Sequence, residues 1–169
     1  MSAQAQTEFS ETQYMRDQRW IMLIVVGIAL LVWWGFIEQI ILDKTWGNNP
    51  EPDWIVWITW LIFGIAFPIF FYKLKLTITL YPEYIDINYN PLTKRQIAYD
   101  QIAQAKATEY SPIKEYAGWG VKGWSSQKMA YNVKGNQGVE LTLQDGRIVM
   151  LGSQKATALE LAISKHIAK

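Results

Sequence analysis

The sequence predicts a membrane protein in which a hairpin of two helices precedes a mainly-β domain that ends in one helix. Two long apolar runs without charges predict the hairpin, and alternating apolar and polar residues after them predict strands. Near the C-terminus, an apolar residue at every fourth position predicts the final helix.

The composition excludes several classes of protein. Half of the 169 residues (50%) are apolar and none is cysteine, which excludes disulfide-stapled scaffolds, cysteine-ligated zinc proteins and thiol enzymes. Sixteen Lys and Arg residues against fifteen Asp and Glu residues leave a net charge of +1, without the basic excess of a dedicated nucleic-acid binder. We therefore expect no nucleic acid among the partners.

The two apolar runs have the length of transmembrane helices. Trp20–Ile37 contains eighteen residues and Trp54–Tyr72 nineteen, all without Asp, Glu, Lys, Arg or His. At about 1.5 Å per helical residue, each covers roughly 27–29 Å, close to the thickness of a bilayer's hydrocarbon core. We predict transmembrane helices over residues 20–41 and 54–72. The absence of ionisable groups from the runs argues against a transporter with its own ion path.

A local irregularity is predicted in the second helix. Pro68 has no N–H to donate to the carbonyl of Gly64, four residues earlier, so a mild kink is expected there.

The charges that flank the helices predict their orientation. Arg16 and Arg19 precede the first helix, and Lys73 and Lys75 follow the second, whereas the connecting loop carries four acidic residues against Lys44, a balance of −3. Positive charge stays inside, so we expect a multi-pass protein of the inner (plasma) membrane with both termini cytoplasmic and an acidic external loop. Four tryptophans are expected towards the outer interface: Trp33, Trp34, Trp54 and Trp57.

This orientation divides the chain into three parts. Residues 1–19 form a cytoplasmic N-terminal tail, loose as far as about residue 14, and residues 20–72 form the hairpin. Residues 73–169 form a cytoplasmic domain with 13 Lys and Arg against 8 Asp and Glu, a balance of +5. We expect function to lie in this last part.

Alternation predicts the strands of the cytoplasmic domain. The segments KLKLTITLY, from Lys73, and YIDINY, from Tyr84, both alternate apolar and polar residues. Later, Asp145-Gly146 is the pair favoured in a two-residue type I′ turn. That turn would place five side chains on one buried face: Val139, Leu141, Leu143, Ile148 and Met150.

The domain is predicted to close into a small fold. Six or seven antiparallel strands come before an amphipathic helix that carries Leu159, Ile163 and Ile167. This pattern predicts a small barrel or curved sheet, closed at one end by the helix.

Two segments resemble a known family. SPIKEYAGWGVK at residues 111–122 and AYNVKGNQGVELTLQDGRIVMLGSQKATALELAI at residues 130–163, placed after two apolar helices, resemble bacterial pleckstrin-homology-like (bPH) membrane proteins of unknown function. The resemblance implies a pleckstrin-homology-like (PH-like) antiparallel β-barrel with one C-terminal helix. It supplies no set of catalytic residues.

A glycine pattern raises the question of a nucleotide site. GWGVKG at residues 118–123 fits the dinucleotide fingerprint GxGxxG. That fingerprint needs a strand before it and a helix at its end, and the residues that follow are turn-like and then strand-like. We interpret the segment as a loop whose glycines adopt positive φ.

No catalytic, metal or cofactor site is predicted. Paired carboxylates would have to come from Glu109 and Glu115 or from Asp86 and Asp100, and nothing in the sequence brings either pair together. His166 stands without other metal ligands at helical spacing and is interpreted as a solvated residue at a helix end. We therefore expect neither an enzyme nor a metal or cofactor protein.

One basic and aromatic segment, residues 114–134, is the candidate site. Three interpretations stay open: an ordinary solvated face, contact with the anionic inner leaflet, or a loop that docks a partner through aromatic anchors. The candidate residues are Lys114, Tyr116, Trp119, Lys122, Trp124 and Lys128.

These observations lead to a functional hypothesis. The protein is expected to present a non-catalytic PH-like binding module at the cytoplasmic membrane surface, for docking or assembly of a protein partner. The alternative is recognition of anionic lipid head groups by segment 114–134. The expected partners are the lipid bilayer and a membrane or membrane-associated protein, with homo-oligomer formation left open.

Overall fold

The computed structural model describes residues 8–47, 49–123 and 127–167. The chain forms two compact units. The helical unit is Met15–Leu74, and the β unit combines the residues up to Tyr14 with those from Lys75 onward.

The helical unit contains two long helices. After a 3₁₀ turn at Met15–Asp17, α1 spans Arg19–Ile41 and ends in a π-helical segment, Ile37–Ile41. The second helix, α2, spans Asp53–Lys73. Both are long and apolar enough to cross a membrane, and only 17% of the apolar stretch of α1 and 6% of that of α2 is buried.

An aromatic cluster holds the two helices together. The ring of Trp60 stacks on Phe36 at 4.5 Å between centroids and meets Trp33 edge-on at 5.1 Å. Trp57 meets Phe36 edge-on at 4.8 Å. Such aromatic pairs each contribute about 0.5–1.5 kcal/mol beyond the burial of their area.

Pro68 leaves a backbone carbonyl of α2 without its usual helical donor, and a side chain of α1 donates to that carbonyl instead. The helix is π-helical over Trp60–Ala66, just before the proline. The carbonyl of Gly64, which Pro68 cannot serve, accepts a hydrogen bond from Trp33 Nε1 at 3.1 Å. Gly64 leaves room for this contact, because a Cβ there would lie 3.1 Å from Trp60 Cδ1 and 3.4 Å from Trp33 Nε1, and both indoles would have to shift slightly.

The described residues of the β unit form two sheets and two helices. Sheet A has the order β1-β2-β3-β4 and is antiparallel. Its strands are β1 (Phe9–Tyr14), β2 (Lys75–Leu80), β3 (Tyr84–Asn90) and β4 (Thr93–Ala98). Sheet B has the order β5-β8-β9-β7-β6. Its strands are β5 (Ile102–Glu109), β6 (Gly120–Lys122), β7 (Lys128–Asn132), β8 (Gln137–Leu143) and β9 (Ile148–Gly152). The helices are α3 (Pro112–Tyr116) and α4 (Ala156–Ile167).

The expectation of a closed antiparallel barrel is wrong. The chain leaves β4 through the 3₁₀ turn Tyr99–Gln101, and β5 then pairs with β8 rather than with β4. Strand β7 also runs parallel to β9. Two separate sheets with open edges result, because no ladder joins β4 to β5 in the part of the chain that the structure describes.

The alternation predicted for β2 and β3 is confirmed and forms the core of sheet A. Leu76 pairs with Tyr89, Ile78 with Ile87 and Leu80 with Ile85. All six of these side chains are fully buried. Since direct cross-strand partners share a face, they line one continuous apolar surface.

The predicted register of the β8-β9 hairpin is wrong by one residue. Gly146 N donates to Leu143 O at 2.9 Å and Leu143 N to Arg147 O at 2.8 Å, which closes a three-residue loop with Gly146 at φ +83°. Leu141 therefore pairs with Val149. A shift of one residue exchanges the two faces of a strand, so Val149 and Leu151 replace the expected Ile148 and Met150 on the face of Leu141.

The expected loose tail contains a strand in the part that the structure describes, whereas residues 1–7 of that tail lie outside the described residues. Phe9–Tyr14 forms β1, pairs with β2 and places Glu11 and Gln13 on its buried side. The Glu11 carboxylate accepts hydrogen bonds from the Ser153 hydroxyl and, at 2.8 Å, from Gln154 N. Because the buried side chains are polar, hydrophobic alternation does not reveal this strand.

Glu11 connects β1 to the turn that begins α4. Replacing Glu11 with Ala removes two hydrogen bonds to a buried carboxylate. We therefore expect the free energy of unfolding of the β unit to fall by about 2–4 kcal/mol. Denaturant unfolding of the detergent-solubilised full chain, followed by hydrogen exchange at residues 153–157, measures this change. Thr12→Ala, on the exposed side of β1, is the control, and equal losses in the two variants would contradict this role of Glu11.

Candidate functional site

The candidate segment begins with a short helix fixed by its own ends. Ser111 caps α3, because its Oγ accepts from Lys114 N at 3.4 Å while its own N–H donates to Glu115 Oε1 at 2.7 Å. Pro112 occupies the first turn, where a missing N–H costs nothing. The helix ends after five residues at Ala117, whose φ is +56°.

Tyr116, the last residue of α3, is buried against sheet B. Its side chain is 6% exposed and belongs to a buried cluster with Tyr110, Ala130 and Met150. The rings of Tyr110 and Tyr116 meet edge-on at 5.7 Å. Burial raises the pKa of the Tyr110 hydroxyl to about 12 and that of Tyr116 further still. Tyr116 thus anchors α3 to the fold and presents little surface to a partner.

Lys128 is held by groups of α3. Its Nζ lies 3.2 Å from Glu115 Oε2 and 5.0 Å from the centroid of the Tyr116 ring. The hydrogen bond from Ser111 N lowers the pKa of the Glu115 carboxyl, and the contact with Lys128 lowers it further. Tyr116 and Lys128 are thereby brought together, and the charge of Lys128 is compensated.

The glycine loop has the predicted backbone. Gly118, Gly120 and Gly123 have φ values of +114°, +121° and +70°. The loop leads into β6, whose Val121 pairs with Tyr131 of β7. A strand at this point, where the dinucleotide fingerprint requires a helix, agrees with the interpretation as a structural loop.

Trp119 fastens this loop to the turn between β7 and β8. The indole Nε1 donates to Gly135 O at 3.2 Å, and the side chain is half-buried. Gly120 N donates in turn to Asn132 Oδ1 at 2.8 Å. Trp119 therefore has a clear structural role.

The remaining candidates differ in their exposure. Lys114 is exposed on α3 and Lys122 is partly exposed on β6, whereas Trp124 lies outside the described residues. Ile113, which sequence reasoning missed, is 64% exposed beside Lys114. A helix of five residues is too short for apolar periodicity to distinguish its two faces.

His166 departs from its expected setting. Its side chain is only 10% exposed, and its ring stacks on Tyr99 at 4.3 Å. Its Nε2 lies 2.8 Å from Glu8 Oε2, so a residue that precedes β1 reaches the last turn of α4. The expectation of a solvated histidine is wrong because two distant segments cover the ring. Among the described residues, no group of three or more His, Asp and Glu side chains is placed to hold a metal ion.

Comparison with known proteins identifies a family whose function is unknown. Residues 3–169 match a family described as a family of unknown function, DUF6141. The chain belongs to DUF6141. No curated protein and no solved structure matches this chain significantly. The DUF6141 match covers both helices and both sheets.

In this DUF6141 chain, the ion pair between Glu115 and Lys128 should be detectable in the pKa of Glu115. Replacing Lys128 with Met should raise the pKa of Glu115 only part of the way to its ordinary value, because the bond from Ser111 N remains. The pair stabilises the fold above the pKa of Glu115 and loses its effect as pH falls through that pKa.

An NMR titration of ¹³C-labelled glutamate in the full chain measures this pKa. Lys122→Met is the matched control and should leave the pKa unchanged. An unchanged pKa in Lys128→Met would contradict the ion pair.

Proposed function

We propose that this protein is a non-catalytic membrane protein that holds a binding module at the cytoplasmic membrane surface. In this proposal α1 and α2 cross the inner membrane with both termini inside, and the β unit, PH-like in its two sheets and C-terminal helix, receives an extended segment of a protein partner. The lengths and apolar surfaces of the helices support the anchoring part.

The open edge of β4 is the observation that carries the docking part. Strand β4 pairs with β3 alone within the described residues. Tyr99 N donates to Glu83 O on the β3 side, at 3.4 Å. Because donors alternate along an antiparallel strand, the N–H groups of Lys94 and Gln96 point away from β3. An added strand would find backbone partners there.

The charge of this edge indicates the kind of segment that it would accept. Lys94 is 59% exposed in its side chain, whereas the neighbouring Arg95 is half-buried and donates to Met129 Sδ at 3.0 Å. Lys94 Nζ lies 3.4 Å from the largely buried Asp86 carboxylate, and most of the lysine side chain stays accessible. We therefore expect an acidic, extended segment of a membrane or membrane-associated protein.

Anchoring explains how a modest strand contact is sufficient. A module tethered to the membrane meets membrane-bound partners at a much higher local concentration than a freely diffusing module does. The interaction needs correspondingly less affinity of its own.

Replacing Gln96 with Pro tests strand addition. Proline on an edge strand removes an outward N–H and leaves the ladder to β3 intact, so the fold should persist while docking is lost. A photo-crosslinker at Lys94 in intact membranes should give one defined adduct, which falls by about tenfold or more in Gln96→Pro because the edge is blocked.

Gln96→Ala is the matched control, since it keeps the N–H and removes the same side chain. Equal adduct in the Pro and Ala variants would contradict strand addition.

A second function, contact with anionic lipid head groups, is favoured by Ile113. This exposed apolar side chain is flanked by the exposed Lys114. Each lysine near an anionic leaflet contributes about 1 kcal/mol.

Spin labels at Ile113→Cys in the reconstituted full chain test lipid contact. They should be shielded from an aqueous relaxation agent in anionic bilayers, and high salt should reverse the shielding. Equal accessibility in anionic and neutral bilayers would exclude the contact.

A further inference from the structure

The helical unit contains a partly open cavity near the loop end of the hairpin. Its volume is about 570 Å³. One wall is formed by Val32 and Gly35 of α1 and the opposite wall by Val56 and Thr59 of α2. A volume of this size lies within the range of small-molecule binding sites, roughly 300–1,000 Å³.

The distribution of side-chain sizes explains the gap between the helices. Large rings separate α1 from α2 where Phe36 meets Trp57 and Trp60. Val32, Gly35, Val56 and Thr59 are smaller than these rings and leave space between the helices, which Leu31 and Ile55 line as well. Trp46 from the loop covers Gly35, since a Cβ on Gly35 would lie 2.9 Å from Trp46 Cε3.

One end of the cavity is polar and acidic. Gln39, Asn49 and Glu51 line it there. Gln39 Nε2 donates to Glu51 O at 2.6 Å and to Asp53 Oδ1 at 2.9 Å, which fixes the loop against α1. The Glu51 carboxylate forms no ion pair within the described residues.

We propose that this cavity binds one acyl chain of a membrane lipid whose head group carries an ammonium, as phosphatidylethanolamine does. Between Leu31 and Gln39, α1 offers about 12 Å of apolar depth for the chain. The ammonium lies at the polar end, beside Glu51. The balance of −3 in this loop disfavours lipids with a net negative head group. The proposal shares with the proposed function only the placement of α1 and α2 in a bilayer.

Native mass spectrometry of the purified full chain tests this proposal. The chain is stripped of lipid in detergent and incubated with phosphatidylethanolamine and phosphatidylglycerol of identical acyl chains. We expect one retained ethanolamine lipid and a preference of about tenfold over the glycerol lipid, because Glu51 attracts the one head group and repels the other.

Two pairs of variants separate the contributions of charge and space. Glu51→Gln should bring the preference close to parity, while Glu38→Gln, an acidic residue of α1 outside the lining, should keep it. Val56→Trp should abolish retention by filling the cavity. Val26→Trp, on the exposed surface of α1, is the control for added bulk. Thr59→Leu is a milder filling variant if Val56→Trp does not fold.

Three results would overturn the proposal. These are equal retention of the two lipids by the unmodified chain, an unchanged preference in Glu51→Gln, and full retention by a folded variant with a filled cavity. Each would leave the crosslink at Lys94 untouched, so failure of the lipid site is distinguishable from failure of partner docking.

Discussion

The apolar surface of the two helices is the constraint on which the rest of the account depends. Leu23, Leu30 and Trp54 are 72%, 65% and 64% exposed, and few of their neighbours on the helices are covered by protein. Each Å² of such surface kept from water is worth about 25 cal/mol. A bilayer would cover this surface, and a helix pairs every backbone group internally, as a hydrocarbon environment requires. The proposed tether and the proposed lipid cavity both depend on this placement.

The connectivity of the strands explains why the N-terminus matters to the β unit. The chain leaves sheet A after Tyr14 and re-enters it at Lys75, and these two residues are direct cross-strand partners. The ends of the helical unit are likewise joined, because Met15 N donates to Leu74 O at 2.9 Å. The helices are thus an insertion between two neighbouring strands. A fragment that begins at residue 73 lacks β1, the contacts of Glu11 with the turn before α4 and the hydrogen bond from Gln13 to the Gly152 carbonyl at the end of β9.

Sequence patterns predicted the parts of the fold that apolar side chains dominate. The two long helices, the alternation of β2 and β3 and the positive φ of the glycine loop are as expected. Strand β1 was not predicted, because Glu11 and Gln13 face inward and are held there by hydrogen bonds rather than by apolar contacts. The β8-β9 register was predicted wrongly because an Asp-Gly pair fits hairpin loops of two residues and of three residues. Packing against the rest of the sheet decides between the two loop lengths. Sheet closure depends on pairing between distant strands, which local patterns do not encode.

The sequence predicted which segment is basic and aromatic, but it did not predict the contacts that the side chains of this segment make. A count of lysines and aromatics finds segment 114–134, but only the fold shows that Tyr116 is buried, that Glu115 holds Lys128 and that Trp119 bonds to Gly135. The open edge of β4 and the cavity beside Gly35 arise from contacts between distant parts of the chain. Neither feature can be predicted from a local sequence pattern.

Labelling of single cysteines in intact cells tests the central claim most directly, since the chain has no cysteine of its own. A maleimide that cannot cross membranes should react with Lys44→Cys in the loop, and with Lys114→Cys in the β unit only after the cells are opened. Reaction of Lys114→Cys in sealed cells, or recovery of the chain without detergent, would contradict the account.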